Sequence, residues 1–285
     1  MIVGLKQIEL VNVRLIPFIL AVITYYLSVF LFAIRWKYVL KGLGYEVKLL
    51  DSLIGVLIGL SINAITPMSR AGGEMARALW IKLKSGVSIT EAIASMIYER
   101  ILEGFPVAGL LLSAILLIPI HRRASETLAF IIILGLMVFI LRYEEIIELL
   151  SKRIEKIKEC KDRLIMLRKN FQINIIAIST SSAVWMLDIL RFKLLGLAIN
   201  LSFPWKMTLV LSISNLILSV ISVTPGGVGI VEGGLIGIML ILGYPKEVAL
   251  SLTILERFIS LILGPGTGAV VLSMNGGLKL WKALK

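Results

Sequence analysis

Apolar stretches of about twenty residues recur along the whole chain, and a soluble fold has no interior large enough to hide them all. In a bilayer the same stretches are unremarkable, since a helix rising about 1.5 Å per residue needs about 20 apolar residues to cross a hydrocarbon core of roughly 30 Å. Residues 15–34 (LIPFILAVITYYLSVFLFAI) are the cleanest. Others lie at about 49–66, 88–120, 124–141, 172–190, 205–223, 226–243 and 246–272. The 285 residues are 58% hydrophobic and only 17% charged, with a mean hydropathy of +0.95. The expected fold is therefore all-α: a single, polytopic integral membrane helical bundle of seven or eight spans. The first span is followed at once by Arg35 and Lys37 instead of a small-residue cleavage site, so it is expected to be a mature helix and not a secretory signal.

The formal charge of +12 sits in the connections, where Lys and Arg orient the chain and attract anionic headgroups, so membrane lipids and not nucleic acid are the expected partners. The longest polar connection, residues 142–170, holds nine Lys or Arg against six Asp or Glu and is expected to be cytoplasmic. Four crossings ahead of it would put the amino terminus inside as well, leaving Arg35, Lys37, Lys41 and Lys48 outside, against the positive-inside rule. Within the linker, Ile146, Ile147, Leu149, Leu150, Ile154 and Ile157 recur at near-helical spacing, the pattern of a solvated or interfacial helix. The single cysteine, Cys160, can form neither an internal disulfide nor a metal cluster. His121 stands beside Arg122 and Arg123 at a span's edge, so no cofactor or metal is expected. Trp36, Trp80, Trp185, Trp205 and Trp281 mostly flank apolar runs, as a headgroup-level belt would.

A second constraint is internal. The stretch TPMSRAGGE (66–74) has the same frame as TPGGVGIVE (224–232), with Thr66, Pro67 and Glu74 falling on Thr224, Pro225 and Glu232. One residue fewer in the second copy brings Gly86 onto Gly243, Glu99 onto Glu256 and Arg100 onto Arg257, and Arg35-Trp36-Lys37 lines up with Arg191-Phe192-Lys193. This register implies a duplication, with one repeat at about 15–120 and the other at about 172–272, joined by the basic amphipathic linker. Proline lacks the donor that a helix interior needs and glycine lets the chain turn, so Thr66, Pro67, Gly72 and Gly73, like Thr224, Pro225, Gly226, Gly227 and Gly229, mark re-entrant or broken helices. Such irregular backbone is tolerated at membrane depth only against protein or a wet cavity.

Charges inside spans need partners as well, because a lipid-facing one costs about 2.5–3.5 kcal/mol. Glu99, Arg100, Glu103, Glu256 and Arg257 are accordingly expected in intramembrane ion pairs, with Arg100 and Glu103 three apart on one helical face. Arg70, Glu74 and Arg77 share helical spacing and leave one positive charge over, which suits an anion. Glu232 has glycines around it and no arginine near it in the sequence. Asp188 and Arg191 read as a local pair at an interface.

Taken in order, P-x-x-x-x-G-G-E-x-x-R (Pro67, Gly72, Gly73, Glu74, Arg77), Glu99-Arg100, T-P-G-G-x-G-x-x-E and Glu256-Arg257 resemble the membrane domain of lysylphosphatidylglycerol synthase/flippase proteins over nearly the whole chain. That resemblance implies a lipid flippase domain, joined in the bifunctional members to a soluble aminoacyl transferase and in other relatives placed behind glycosyltransferases. With the sequence ending at Lys285, lipid aminoacylation by this chain is not expected. The expected activity is movement of an anionic phospholipid or polyprenyl-linked lipid, with Arg70, Glu74, Arg77 and Glu232 at the headgroup and Arg77→Gln inactive but folded. Two alternatives stand beside it. One is an intramembrane lipid-modifying enzyme using Glu74 or Glu232 as base, although no catalytic motif supports it. The other is a non-transporting partner of a separately encoded transferase, and a homo-oligomer is also open.

Overall fold

A computed structural model describes residues 12–66, 71–117 and 122–275, and the regular elements among them are all helical. The first half comprises α1 (Leu15–Gly42), α2 (Leu49–Ile65), α3 (Ala71–Ser85) and α4 (Ile89–Leu117). After α5 (Arg122–Leu141), α6 (Tyr143–Ser151) and α7 (Glu155–Lys169) come α8 (Phe171–Ala198), α9 (Trp205–Ile221), α10 (Ile230–Ile241), α11 (Lys246–Arg257) and α12 (Gly264–Met274). Element lengths correspond between the halves. α1 and α8 each have 28 residues and α2 and α9 each have 17. α4 has 29, as does the continuous rod Lys246–Met274. Each of these long helices carries a proline. α4 contains Pro106, and in the other rod a π-helical segment, Phe258–Leu263, precedes Pro265, loosening the ladder where the ring removes a donor.

α1 and α8 form the central pair and run antiparallel. At one end the Arg14 N–H donates to the Ala198 carbonyl at 2.8 Å; at the other, Gly42 sits against Leu167 and Ile173. Along the pair, Ala21, Tyr25, Val29, Ala33, Trp36, Phe192 and Leu195 contribute to one buried cluster. Outward faces are apolar and bare: Leu15, Ile16, Ile23 and Leu27 on α1, and Phe130, Ile131, Ile133 and Met137 on α5, are exposed. In water such a surface would drive association, whereas acyl chains match it. Three helices, Leu15–Gly42, Phe171–Ala198 and Lys246–Met274, are long and apolar enough to cross a membrane, and Leu49–Ile65, Glu126–Leu141 and Trp205–Ile221 are shorter apolar helices.

The apolar runs at 49–66, 205–223 and 226–243 are not independent crossings. α3 folds back along α2, with Gly73 N–H on Asn63 Oδ1 (2.9 Å) near the tip and Trp80 Nε1–H on the Asp51 carbonyl (2.9 Å) near the base. α10 folds back along α9 in the same way, and Tyr244 beyond its end stacks edge-on with Phe203 ahead of α9, centroids 5.3 Å apart. Each hairpin enters and leaves at one end of the bundle. Helices running from end to end of the bundle ahead of the linker are then α1, α4 and α5, an odd number, so the amino-terminal end of α1 and the linker lie at opposite ends. The sequence-based count of four is corrected. Lys37, Lys41 and Lys48 now join Lys82 and Lys84 at the linker end, and their conflict with the positive-inside rule is removed.

The linker caps that end instead of lying free. Tyr143, Ile147, Cys160, Leu164 and Leu167 are buried against Val39, Leu43 and Tyr98. Arg163 Nε reaches Glu91 Oε1 at 3.2 Å, and Glu91 also accepts from Tyr45. Cys160 is 1% exposed, with its Sγ 3.5 Å from the Thr90 carbonyl, and burial pushes its thiol pKa up. Since the thiolate is the reactive form, maleimide should label Cys160 in the folded protein at least about tenfold more slowly than in the unfolded chain. Equal rates would mean the cap is open.

Candidate functional site

The two hairpin tips meet at the middle of the bundle. In the second, Thr224 leads into a short 3-10 turn, Pro225–Gly227, and Gly226, Gly227 and Gly229 take φ of 59°, 76° and 85°. A side chain is strained at such angles, and Gly226 also packs against the Ala64 carbonyl of α2. Glu232 caps the new helix: its Oε2 accepts the Gly229 N–H at 2.6 Å. Its Oε1 accepts Arg257 Nε at 2.6 Å, and Arg257 Nη2 donates to the Gly226 carbonyl at 2.5 Å. Glu232 therefore does have an arginine, one placed 25 residues away in sequence and missed by local spacing. In the first hairpin Thr66 ends α2 with its hydroxyl on the Ile62 carbonyl (2.8 Å), Gly72 packs on the Thr66 side chain, and Gly73 packs on the Gly59 carbonyl. Pro67 and Arg70 lie outside the described residues, as do His121 and Trp281.

Behind the first tip lies a network of six charges. Glu99 Oε1 accepts Arg35 Nε at 3.0 Å and Oε2 accepts Arg77 Nη2 at 3.0 Å. Arg35 also donates to Ser181 of α8 (2.8 Å) and lies 3.5 Å from Glu103. Arg77 stacks on the Trp36 ring at 4.2 Å. Glu103 is held by Arg100 at 2.8 Å, and Arg100 lies 3.6 Å from Glu74. Arg77 is thus joined to Glu99 and not to its helical neighbour Glu74. Three guanidinium groups face three carboxylates, so these six leave no surplus charge.

The second half repeats the arrangement with fewer bases. Arg191 Nη2 lies 2.5 Å from Asp188 Oδ1 and 3.5 Å from Glu256 Oε1, and Ser212 donates to Asp188 Oδ2 at 2.5 Å. Residues matched in the sequence frame are matched in space: Arg35 with Glu99 and Arg191 with Glu256; Glu74 with Arg100 and Glu232 with Arg257. Asp188 and Arg191 are not an interfacial pair, because Arg191 is buried inside the bundle. Trp36, Trp80 and Trp185 are buried too and form no belt, although Trp205 is exposed.

Between the halves lies a cavity of about 270 Å³. Its wall includes Tyr25, Asn63, Glu103, Trp185, Asp188, Arg191, Asn215, Gly226, Glu256, Arg257 and Ser260. Several wall atoms have no hydrogen-bond partner in the protein: Trp185 Nε1, Arg191 Nε, Asn215 Oδ1, Ser260 Oγ and both oxygens of Glu256. Buried polar atoms are rarely left so, and a wet or ligand-holding chamber accounts for them. Of the residues expected at the site, Thr66, Glu103, Thr224, Gly226, Gly227, Glu256 and Arg257 line this cavity. Glu74 and Arg77 sit in the adjoining network. Trp185, Asn215 and Ser260 were missed, since a lone polar residue in an apolar helix carries no spacing signal. Arg35 was visible only through its matched frame, and Arg191 through that frame and its spacing from Asp188.

Helical architecture, an apolar exterior and buried charge together define an all-α membrane helical bundle. The chain belongs to the family described as the lysylphosphatidylglycerol synthase TM region, which it matches over residues 5–265. It is similar to the UPF0104 membrane protein PH1989 of Pyrococcus horikoshii, with 28% identity covering 90% of this chain and 86% of that protein. The UPF0104 membrane protein MJ1595 of Methanocaldococcus jannaschii is also 28% identical, covering 92% and 86%. A relative from Methanothermobacter thermautotrophicus is 24% identical, covering 88% and 84%. No solved structure matches the chain significantly.

Proposed function

We propose that the protein is a translocase that moves an amphipathic lipid with an anionic headgroup, a phospholipid or a polyprenyl-linked carrier, between membrane leaflets. The observation that carries this reading is a groove between α4 and α9, about 320 Å³ in volume, that leads from the lipid-facing surface to the charged interior. Val107, Leu111, Ile217, Val220 and Ile221 line it, and Arg100 and Glu103 stand at its head. Glu103 and Leu216 belong to both the groove and the central cavity. An acyl or prenyl chain fits the apolar part while its headgroup meets Arg100, whose side chain is 38% exposed where Arg77 is only 10% exposed. Guanidinium suits a phosphate because it offers parallel donors.

Residues 15–120 and 172–272 are read as one unit and its inverted copy, since α1 and α8 run antiparallel and such repeats place the substrate site at their interface. Inversion also supplies a second state. Across the pseudo-twofold from the α4–α9 groove, α2 and α12 are closed, with Gly268 against the Leu57 carbonyl and Ser61. Exchanging the two conformations would close one groove and open the other. The basic linker end is assigned to the cytoplasm.

Reconstitution in liposomes, following both lipid sidedness and lipid chemical identity, tests the proposal. A change of sidedness alone supports it, a new lipid species makes the protein an enzyme, and neither leaves a scaffold. Arg100→Gln should slow translocation about 10- to 100-fold, equivalent to one hydrogen bond to a charged group. An unaltered rate removes Arg100 from the headgroup site.

A further inference from the structure

Glu256 differs from its counterpart Glu99 in what it lacks. Both oxygens of Glu99 accept from guanidinium groups at 3.0 Å. Glu256 is more deeply buried, at 0% exposure, yet neither oxygen has a hydrogen-bond partner, and Arg191 stands 3.5 Å off. The missing group is identifiable. In the frame that puts Glu74 on Glu232, Arg77 falls on Leu235, a buried hydrocarbon side chain. Arg191 brings one charge to two carboxylates and sits nearer Asp188, at 2.5 Å, than Glu256, at 3.5 Å. Asp188, Arg191 and Glu256 together carry one negative charge in excess.

The other charged or titratable groups around Glu256 do not supply a free cation. Beside it on its own rod, Arg257 is bonded to Glu232 of α10 and to the Gly226 carbonyl. From α8 come Asp188 and Arg191; from α1, Tyr25; and from α4, Glu103, which is already paired with Arg35 and Arg100. A buried carboxylate that accepts no hydrogen bond and shares its one nearby cation with a second carboxylate is neutralised or joined by a further positive charge. A metal ion is a poor candidate, given a guanidinium 3.5 Å away and, among the described residues, no group of three His, Cys, Asp or Glu that could hold one. A proton requires only a neighbouring acceptor, and Asn215 Oδ1 and Ser260 Oγ, both unpartnered, line the same cavity.

We propose that Glu256 is a proton-binding site in the central cavity and that its loading and unloading couple lipid movement to a proton gradient. A hydronium ion in the cavity gives its proton to the carboxylate and leaves as water, and the reverse step returns it. Coupling rests on the translocase reading; the protonation itself does not.

Infrared difference spectra of the purified protein test the protonation alone. The wild type should keep a protonated-carboxyl band at neutral pH that Glu256→Gln removes, and absence of that band overturns the site. Glu256→Gln should melt no lower than the wild type, since it replaces a protonated carboxyl by a neutral amide of the same shape; a collapse in melting temperature would make Glu256 an ionised structural partner of Arg191 and overturn the proposal. In vesicles, an imposed proton gradient should bias lipid sidedness in the wild type and not in Glu256→Gln. A response to a sodium gradient instead, or lipid movement indifferent to either gradient, overturns coupling by protons while leaving the translocase reading intact. A carboxyl band without any lipid movement overturns the translocase reading and the coupling, while the proton site stands.

Discussion

Replacing Glu99 by leucine is expected to destabilise the protein by about 3–5 kcal/mol, the cost of stranding buried charge. Glu99 is 1% exposed and is the shared acceptor of Arg35 and Arg77, themselves 2% and 9% exposed. Neither arginine can swing out to water. Arg77 is pinned between the Trp36 ring, 4.2 Å away, and Gly59, and Arg35 is tied across to Ser181. Thermal unfolding in detergent should therefore move down by roughly 10 °C. A melting temperature within a degree or so of the wild type would show that the network is not holding the halves together. The same geometry revises the expectation for Arg77→Gln. It was expected to fold and lose transport, but a buried pair is broken there as well, so loss of stability must be measured before any loss of transport is assigned to the headgroup.

The second large effect is steric. A Cβ on Gly73 would run into the Gly59 carbonyl and the Asn63 amide, and Asn63 already accepts the Gly73 N–H at 2.9 Å. Backbone oxygen cannot rotate away as a side-chain end can. Gly73→Val should force α3 off α2, break that bond and cost about 3 kcal/mol, at the upper end of overpacking penalties. Gly135→Ala on α5 is the control: nothing lies within 4 Å of its Cβ position, so a neutral or slightly stabilising change of about 0.5–1 kcal/mol is expected. If the two variants melt alike, the close approach of α2 and α3 does not exist in the protein.

Much of the site was readable before any geometry, and the misses share a cause. The frame joining Thr66 with Thr224, Glu74 with Glu232 and Glu99-Arg100 with Glu256-Arg257 picked out residues that the fold gathers at two tips and two networks. Partners were harder. Local spacing joined Arg77 to Glu74 and left Glu232 without a base, whereas the actual partners, Glu99 and Arg257, are 22 and 25 residues away along the chain. Tryptophans near the ends of apolar runs suggested a belt, but Trp36 is packed on Gly55 and Arg77, a contact that depends on which helix lies beside α1.

Sequence alone determined the solvent and the secondary structure. Apolar runs of membrane length oblige the backbone to satisfy itself, which among these elements means helices, and buried charges at fixed positions oblige them to face one another. Only the tertiary structure decided which apolar helices cross and which turn back, because hydropathy reports the length of a run and not the direction of its neighbour. That choice turned four end-to-end passages ahead of the linker into three and brought Lys37, Lys41 and Lys48 to the linker end. It also left Glu256 beside a cavity with Leu235 where the repeat frame has Arg77, a difference in charge whose meaning appears only once the fold shows Arg77 bonded to Glu99.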